Sequence, residues 1–216
     1  MSDVLAPAVE RTHLDETSWV DVARGWVPPA DATELYDALV ERTAWQQGRL
    51  FRYERWIDEP RLGGWWKPGN PVPHESVVDL HRAVQRQYKV QFGGFALAQY
   101  RDGRDSVAFH RDRELRWLED TVIAVLTLGA SRPWLLRPRS SRFDHDAPNK
   151  GATHDLAPGA GDLLVMGGRC QSDWEHAVPK VPGLGAGRVS LQWRWTSRTG
   201  RQERGPSYRA ARTYSR

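Results

Sequence analysis

The sequence predicts an α+β chain in which a mainly β core follows a helical N-terminal part. Two segments before residue 90 repeat their apolar residues at helical spacing. After residue 94 the chain breaks into short runs rich in β-formers, with Gly, Pro, Asp and Asn between them. Short strands at this spacing fold as a sandwich or barrel, of which the double-stranded β-helix, or jelly roll, is one common form. At 216 residues the chain makes one sizeable domain, and two domains would each be cramped.

Taken in order, residues 1–20 are polar and are expected to be a flexible lead-in to a domain spanning 21–198. DATELYDALVERT (31–43) predicts a helix, opened by an Asp able to cap it and carrying Leu35, Leu39 and Val40 on one stripe. ESVVDLHRAVQRQYK (75–89) predicts a second helix, with Val77, His81, Val84 and Tyr88 aligned. Between them, PRLGGWWKPGNPVP reads as a loop or irregular hairpin bearing two exposed tryptophans, Trp65 and Trp66. The strands expected next are GFALAQY, TVIAVLTLG, PWLLRPR, GDLLVMGG and RVSLQWRW. The tail, 199–216, is arginine-rich and nearly devoid of apolar residues, and much of it is expected to be poorly ordered.

Composition narrows the chemistry. No run approaches the roughly 18 apolar residues of a membrane span, and the acidic N-terminus is unlike a signal peptide, so a cytoplasmic monomer with no membrane partner is expected. A lone cysteine, Cys170, excludes an internal disulfide framework and a thiolate-held metal, leaving His and carboxylates as ligands. The net charge is +4, and of the 31 Lys and Arg residues only Lys67, Lys89, Lys150 and Lys180 are lysines. That balance suits a polyanion, and equally a bias toward arginine.

His110-Arg111-Asp112 is the sharpest local signal, because residues two apart on an extended chain face the same way and can share an ion. His13-Leu14-Asp15 has the same form but lies in a polar segment with no strand expected around it. A third ligand at His176 would complete two imidazoles and a carboxylate, leaving positions open for a bidentate cosubstrate and oxygen. His145 and His154 compete for that role from a loop-like stretch. In RVSLQWR, residues Arg188, Ser190, Gln192 and Arg194 alternate with Val189, Leu191 and Trp193, so the polar set shares one strand face. That face is either solvated or turned inward, and two inward arginines call for an anion such as a dicarboxylate.

Together, Ala98-Gln-Tyr100 with the following Asp-Gly turn, His110-Arg-Asp112-Arg-Glu114, His176 and the Arg188–Arg194 segment resemble the AlkB family of nucleic-acid dioxygenases over roughly residues 50 to 198. The resemblance implies a jelly roll with N-terminal helices packed on one side, Fe(II) held by His110, Asp112 and His176, and 2-oxoglutarate as cosubstrate. It assigns the cosubstrate carboxylates to Arg188 and Arg194, with Tyr100 and Ser190 beside them. It also implies a base-recognition lid at about 55–75, in which Trp65 or Trp66 stacks on an extruded base of DNA or RNA. Glu114 falls near that base, where a carboxylate favours the positive charge of 1-methyladenine or 3-methylcytosine. The implied activity is oxidative demethylation. The sequence departs from the family at Ala98, where Asn is usual, at Arg113, where an acid is common, and at Ser190 and Gln192, where Asn and Thr are usual. These departures leave two other readings open: a dioxygenase of the same fold acting on a protein or small molecule, and a nucleic-acid-binding module without catalysis.

Overall fold

The computed structural model describes residues 8–112, 114–139, 152–205 and 210–211, so Arg113, His145 and Lys150 lie outside the described residues. The elements are β1 (Glu10–His13), β2 (Ser18–Ala23), α1 (Pro29–Arg42), β3 (Gln46–Arg52), β4 (Arg55–Trp66) and α2 (Ser76–Tyr88), then β5 (Phe95–Tyr100) and β6 (Val107–His110). After these come β7 (Thr121–Gly129), β8 (Leu135–Pro138), β9 (His154–Asp155), β10 (Leu163–Gly168), the one-turn α3 (Cys170–Asp173), β11 (Trp174–Val178) and β12 (Arg188–Thr196). A major antiparallel sheet has the order β1-β2-β10-β7-β12-β5-β4-β3, and a minor one β6-β11-β8-β9. The minor sheet covers one face of the major sheet and the helices cover the other, which is the jelly roll with helices on one side that the sequence implied.

The β7 sequence TVIAVLTLG shows how the layers arise. Its residues are buried almost without interruption because both faces of the central strand are covered. Val122, Ala124, Leu126 and Leu128 enter the core beneath the helices, and Ile123 and Val125 enter the core between the sheets. β12 follows the same rule: Val189, Leu191 and Trp193 face the helices, so Arg188, Ser190, Gln192 and Arg194 face the minor sheet.

α1 starts two residues before the expected cap. Pro29 stands at its first position and no side chain caps it, so Asp31 lies inside the first turn, where its charge complements the helix dipole. Ala32, Leu35, Ala38 and Leu39 form its buried stripe. In α2 the buried positions are Val77 and Val84. Lys89 then closes the helix in the left-handed region (φ 54°).

Two expectations are corrected. Of the lead-in expected over residues 1–20, the described part from residue 8 is not simply flexible, since β1 pairs with β2 and β2 with β10, extending the major sheet. SWVDVA alternates between the two cores, and Arg11 pairs with Asp21 at 2.7 Å while stacking on Trp19. The stretch expected as a loop at 60–66 instead continues β4, paired with β5 from Leu62↔Gln99 to Trp66↔Phe95. Pro60, which has no N–H to give a ladder, sits where the β3–β4 register shifts, and its carbonyl accepts from Ser106 N (2.7 Å). No described helix is long and apolar enough to cross a membrane.

Candidate active site

Strand pairing assembles the metal site. His176 of β11 is the direct cross-strand partner of His110 at the end of β6, which brings the two rings to 4.3 Å between centroids. Asp112, two residues past His110, turns back to the same point, and one ligand atom from each of the three residues lies within 4.8 Å of the others. His110 Nδ1 lies 2.9 Å from the Ala108 carbonyl. Donation there orients the ring so that Nε2, 3.9 Å from Asp112 Oδ1, faces the metal position. His176 stacks on Trp134, with centroids 5.1 Å apart and planes 11° apart. The Asp112 backbone N–H donates to Gln171 Oε1 at 2.7 Å.

Electrostatics favour ligation. Burial, then the neighbouring His110, push the His176 imidazole down to about 3. Burial likewise lowers His110, so both rings are neutral near pH 7, the form that binds metal. Burial pushes the Asp112 carboxyl up, but the charges of Arg194, His176 and His110, with a hydrogen bond from Arg194, outweigh it and hold the group well below the usual carboxylate range. Two neutral imidazoles and one carboxylate are the donor set of non-haem Fe(II) oxygenases. His154 is not part of this set: it lies on β9 with its ring against Trp174. The motif at 13–15 is structural. His13 belongs to β1, while Asp15 accepts from Thr17 N, Ser18 N and Trp174 Nε1.

A second charged centre lies further along the same face of β12. Arg188 is fully buried. Its Nη2 donates to Thr127 Oγ1 at 3.1 Å, while Nε and Nη1 have no hydrogen-bond partner among the described residues. Burial pushes this guanidinium down to about 10. Leaving two such N–H groups unmet costs about 1–3 kcal/mol each, so the position fits a carboxylate supplied from outside. Tyr100, opposite Arg188 in the β5–β12 ladder, is ringed by cations. The guanidinium carbons of Arg132, Arg188 and Arg61 lie 5.0, 5.9 and 6.0 Å from its ring centroid, and Arg61 Nη1 donates to its hydroxyl at 3.0 Å. Arg132 is clamped by the carbonyls of Asp102, Asp105 and Pro179. Between the two ends, Ser190 pairs across to Ala98 and Thr127. Ala98 in place of the usual Asn therefore widens this floor.

Arg194 is different. It donates from Nε and Nη2 to the two Asp112 oxygens at 2.8 and 3.3 Å, and from Nη2 to Gln192 Oε1 at 2.6 Å. The anion beside it is the metal-ligating carboxylate.

Of the paired tryptophans, Trp66 turns to the helix layer. It stacks on Phe95 at 4.9 Å and donates from Nε1 to the Asn70 carbonyl. It packs, partly buried, against the core beneath the helices. Trp65 takes the opposite face, in the row of Ala96 and Gln192, and is 62% exposed. Glu114 is exposed on the loop after Asp112. Sequence reasoning missed Arg61, Arg132 and Thr127. Only Thr127 carried a signal, as a polar residue within an apolar run and in phase with Ile123 and Val125. Among so many arginines, nothing local marks Arg61 or Arg132.

The fold and these two centres together are those of the Fe(II)- and 2-oxoglutarate-dependent oxygenases. Residues 66–194 match the model of the 2OG-Fe(II) oxygenase superfamily. Alpha-ketoglutarate-dependent dioxygenase alkB homolog 3 of Bos taurus is 26% identical over 188 residues, which is 82% of this chain and 66% of that protein. Its Homo sapiens counterpart is also 26% identical, over 79% of this chain and 63% of its own length. The chain therefore spans slightly less than two thirds of these two relatives. DNA oxidative demethylase ALKBH2 of Mus musculus is 30% identical over 76% of this chain and 75% of that protein. Among solved structures, a Trichoplax adhaerens prolyl hydroxylase superposes with a TM-score of 0.58 at 14% identity, over 82% of this chain and 83% of that one. A Pseudomonas putida prolyl-4-hydroxylase gives 0.51 at 19%, over 86% and 93%. These two share the fold. The chain belongs to the 2OG-Fe(II) oxygenase superfamily and, within it, to the AlkB family.

Proposed function

We propose that this chain oxidatively demethylates alkylated bases in DNA or RNA. The observation that carries the reading is Trp65, a large exposed aromatic on the strand face that leads to Tyr100 and Arg188. Such a plane is suited to stacking a base turned out of its strand, and a stacked base gains about 1–3 kcal/mol. The similarity to alkB homolog 3 and ALKBH2 supports the same reading.

In this reading His110, Asp112 and His176 hold Fe(II), and Arg188 with Tyr100 and Ser190 holds the distal carboxylate of 2-oxoglutarate. Iron and 2-oxoglutarate supply the oxidation: one oxygen atom of O2 enters a methyl C–H bond, and the other enters succinate as CO2 leaves. Arg194 keeps Asp112 ionised and oriented toward the metal. Glu114 favours a base made cationic by methylation, such as 1-methyladenine or 3-methylcytosine. The hydroxymethyl group formed on the base then breaks its C–N bond, releasing formaldehyde and returning the unmodified base.

Mass spectrometry of nucleosides is the test, after incubating methylated single-stranded DNA, duplex DNA, messenger RNA and transfer RNA with enzyme, Fe(II) and 2-oxoglutarate. Loss of a methylated nucleoside matched by formaldehyde is expected. Succinate formation with no nucleoside change in any of the four would instead favour a protein or small-molecule substrate.

A further inference from the structure

Beyond β12 the chain does not leave the domain directly. Ser197 N donates to the Asp120 carbonyl (3.0 Å), Gln202 forms a β-bridge with Trp117, and Arg116 Nη1 donates to the Gly205 carbonyl at 2.7 Å. Glu203 pairs with Arg111, the residue between the two metal ligands of the His110–Asp112 motif, and its backbone N–H bonds the Arg116 carbonyl. Farther on, the Ala210 carbonyl accepts from Arg52 Nη1 at the end of β3, at 3.1 Å. The described tail thus crosses the loop that carries Glu114, and Ala210 meets the turn end of the β3–β4 hairpin.

Along this path Arg198, Arg201 and Arg204 are all exposed. Among the described residues none of them has an acidic partner. Glu203 is engaged with Arg111, and Glu119, which lies against Gly200, with Arg169. A base seated against the metal loop leaves its flanking phosphates beside that loop, and this segment is held to the loop at Arg111, Arg116 and Trp117.

We infer that residues 198–205 form a phosphate-binding wall for single-stranded nucleic acid, with Arg198, Arg201 and Arg204 as its contacts and Glu203 as the pin that fixes it to the metal loop. The inference rests on the nucleic-acid reading above and adds the surface that grips the backbone. Such contacts position a strand without reading its sequence. Each one made by a cation steepens the salt dependence of binding, by about 0.7 in the slope of log K against log salt for single strands.

The test is fluorescence-anisotropy binding of a single-stranded oligonucleotide containing one 1-methyladenine, across a salt series, with full-length protein loaded with Mn(II) and 2-oxoglutarate. R198Q/R201Q/R204Q should flatten the slope by about 2, so its affinity deficit against wild type shrinks about 16-fold between 50 and 200 mM salt. R42Q/R82Q/R86Q removes the same charge from exposed positions on α1 and α2, and should change the slope by less than about 0.7, one contact's worth. Both variants should keep the wild-type Tm and the wild-type turnover of 2-oxoglutarate without substrate. A tail variant with the wild-type slope, or a helix variant that loses as much, would overturn the inference while leaving the demethylase reading intact. Wild type that binds no oligonucleotide at any salt would sink both.

Discussion

Arg188 and Arg194 occupy the same face of the same strand, and the protein completes one and leaves the other open. At the Arg194 end the chain supplies the anion itself: Asp112, only 5% exposed, takes both hydrogen bonds of the guanidinium fork. At the Arg188 end, among the described residues, a wholly buried guanidinium has one hydroxyl partner and two nitrogens, Nε and Nη1, without one. A charge satisfied within the fold contributes to stability and positions its partner. A buried charge left unsatisfied costs stability until a ligand arrives, so the fold at that end has given up stability for binding. The two arginines should therefore respond oppositely to removal.

The largest expected effect is at the satisfied end. Arg194→Ala leaves the Asp112 carboxylate buried without its cation, a loss of about 3–5 kcal/mol. Thermal unfolding of metal-free protein should show a clearly lowered Tm, and a Tm at or above wild type would break the comparison. Arg188→Met, which keeps the volume and removes the bare charge, should by contrast leave metal-free Tm unchanged or raised.

The tryptophan pair sharpens the same contrast between groups spent on the fold and groups held for a ligand. Trp66→Ala should cost close to 3 kcal/mol of stability, the lower end for a large aromatic lost from packing. Trp65→Ala should change stability by less than about 0.5 kcal/mol yet weaken nucleic-acid turnover by about 1–3 kcal/mol, roughly 5- to 150-fold. Chemical denaturation and nucleoside mass spectrometry on the same two preparations separate these outcomes.

How much of this could be read in advance depended on whether a contact follows from one strand or from two. The alternation in β12 and in His110-Arg-Asp112 is a property of a single strand, so the polar face and the ligand pair were legible. Which anion each arginine meets depends on how close the minor sheet comes to each end of β12, and no local pattern encodes that distance. Arg61 and Arg132 were hidden for the same reason, since each reaches Tyr100 from another part of the chain. β2 was missed because its SWVDVA alternation is brief and contains Asp21, whose burial is made tolerable by Arg11 and by the Tyr88 hydroxyl. β4 was misread because Pro60, Gly63 and Gly64 look like loop punctuation, although Pro60 falls at a register shift and Gly64 at a close approach, where a Cβ would lie 2.7 Å from Thr43 Cγ2.

A smaller effect separates the two ends by pH. The His176 imidazole is lowered to about 3, first by burial and then by His110. A His lowered on folding binds its proton more readily when unfolded, so its stability contribution is complete above about pH 6.5 and is lost as pH falls from there toward 3. His176→Gln should reduce this acid limb in metal-free unfolding curves, whereas Arg188→Met, which is not coupled to His176, should keep it. The smallest effect is expected from Glu114→Gln. It should lower turnover of cationic methylated bases while leaving substrate-independent conversion of 2-oxoglutarate to succinate nearly unchanged, and equal turnover would remove Glu114 from base recognition.

The most direct measurement is calorimetric titration of 2-oxoglutarate into Mn(II)-loaded wild type and Arg188→Met. If the bare guanidinium is the seat of the distal carboxylate, the variant should bind more weakly by about 1.5–3 kcal/mol, the range for hydrogen bonds to charged groups, while taking up Mn(II) as wild type does. Equal 2-oxoglutarate affinity in the two proteins would show that Arg188 is not that seat, and would contradict the claim that the fold leaves this arginine open for its cosubstrate.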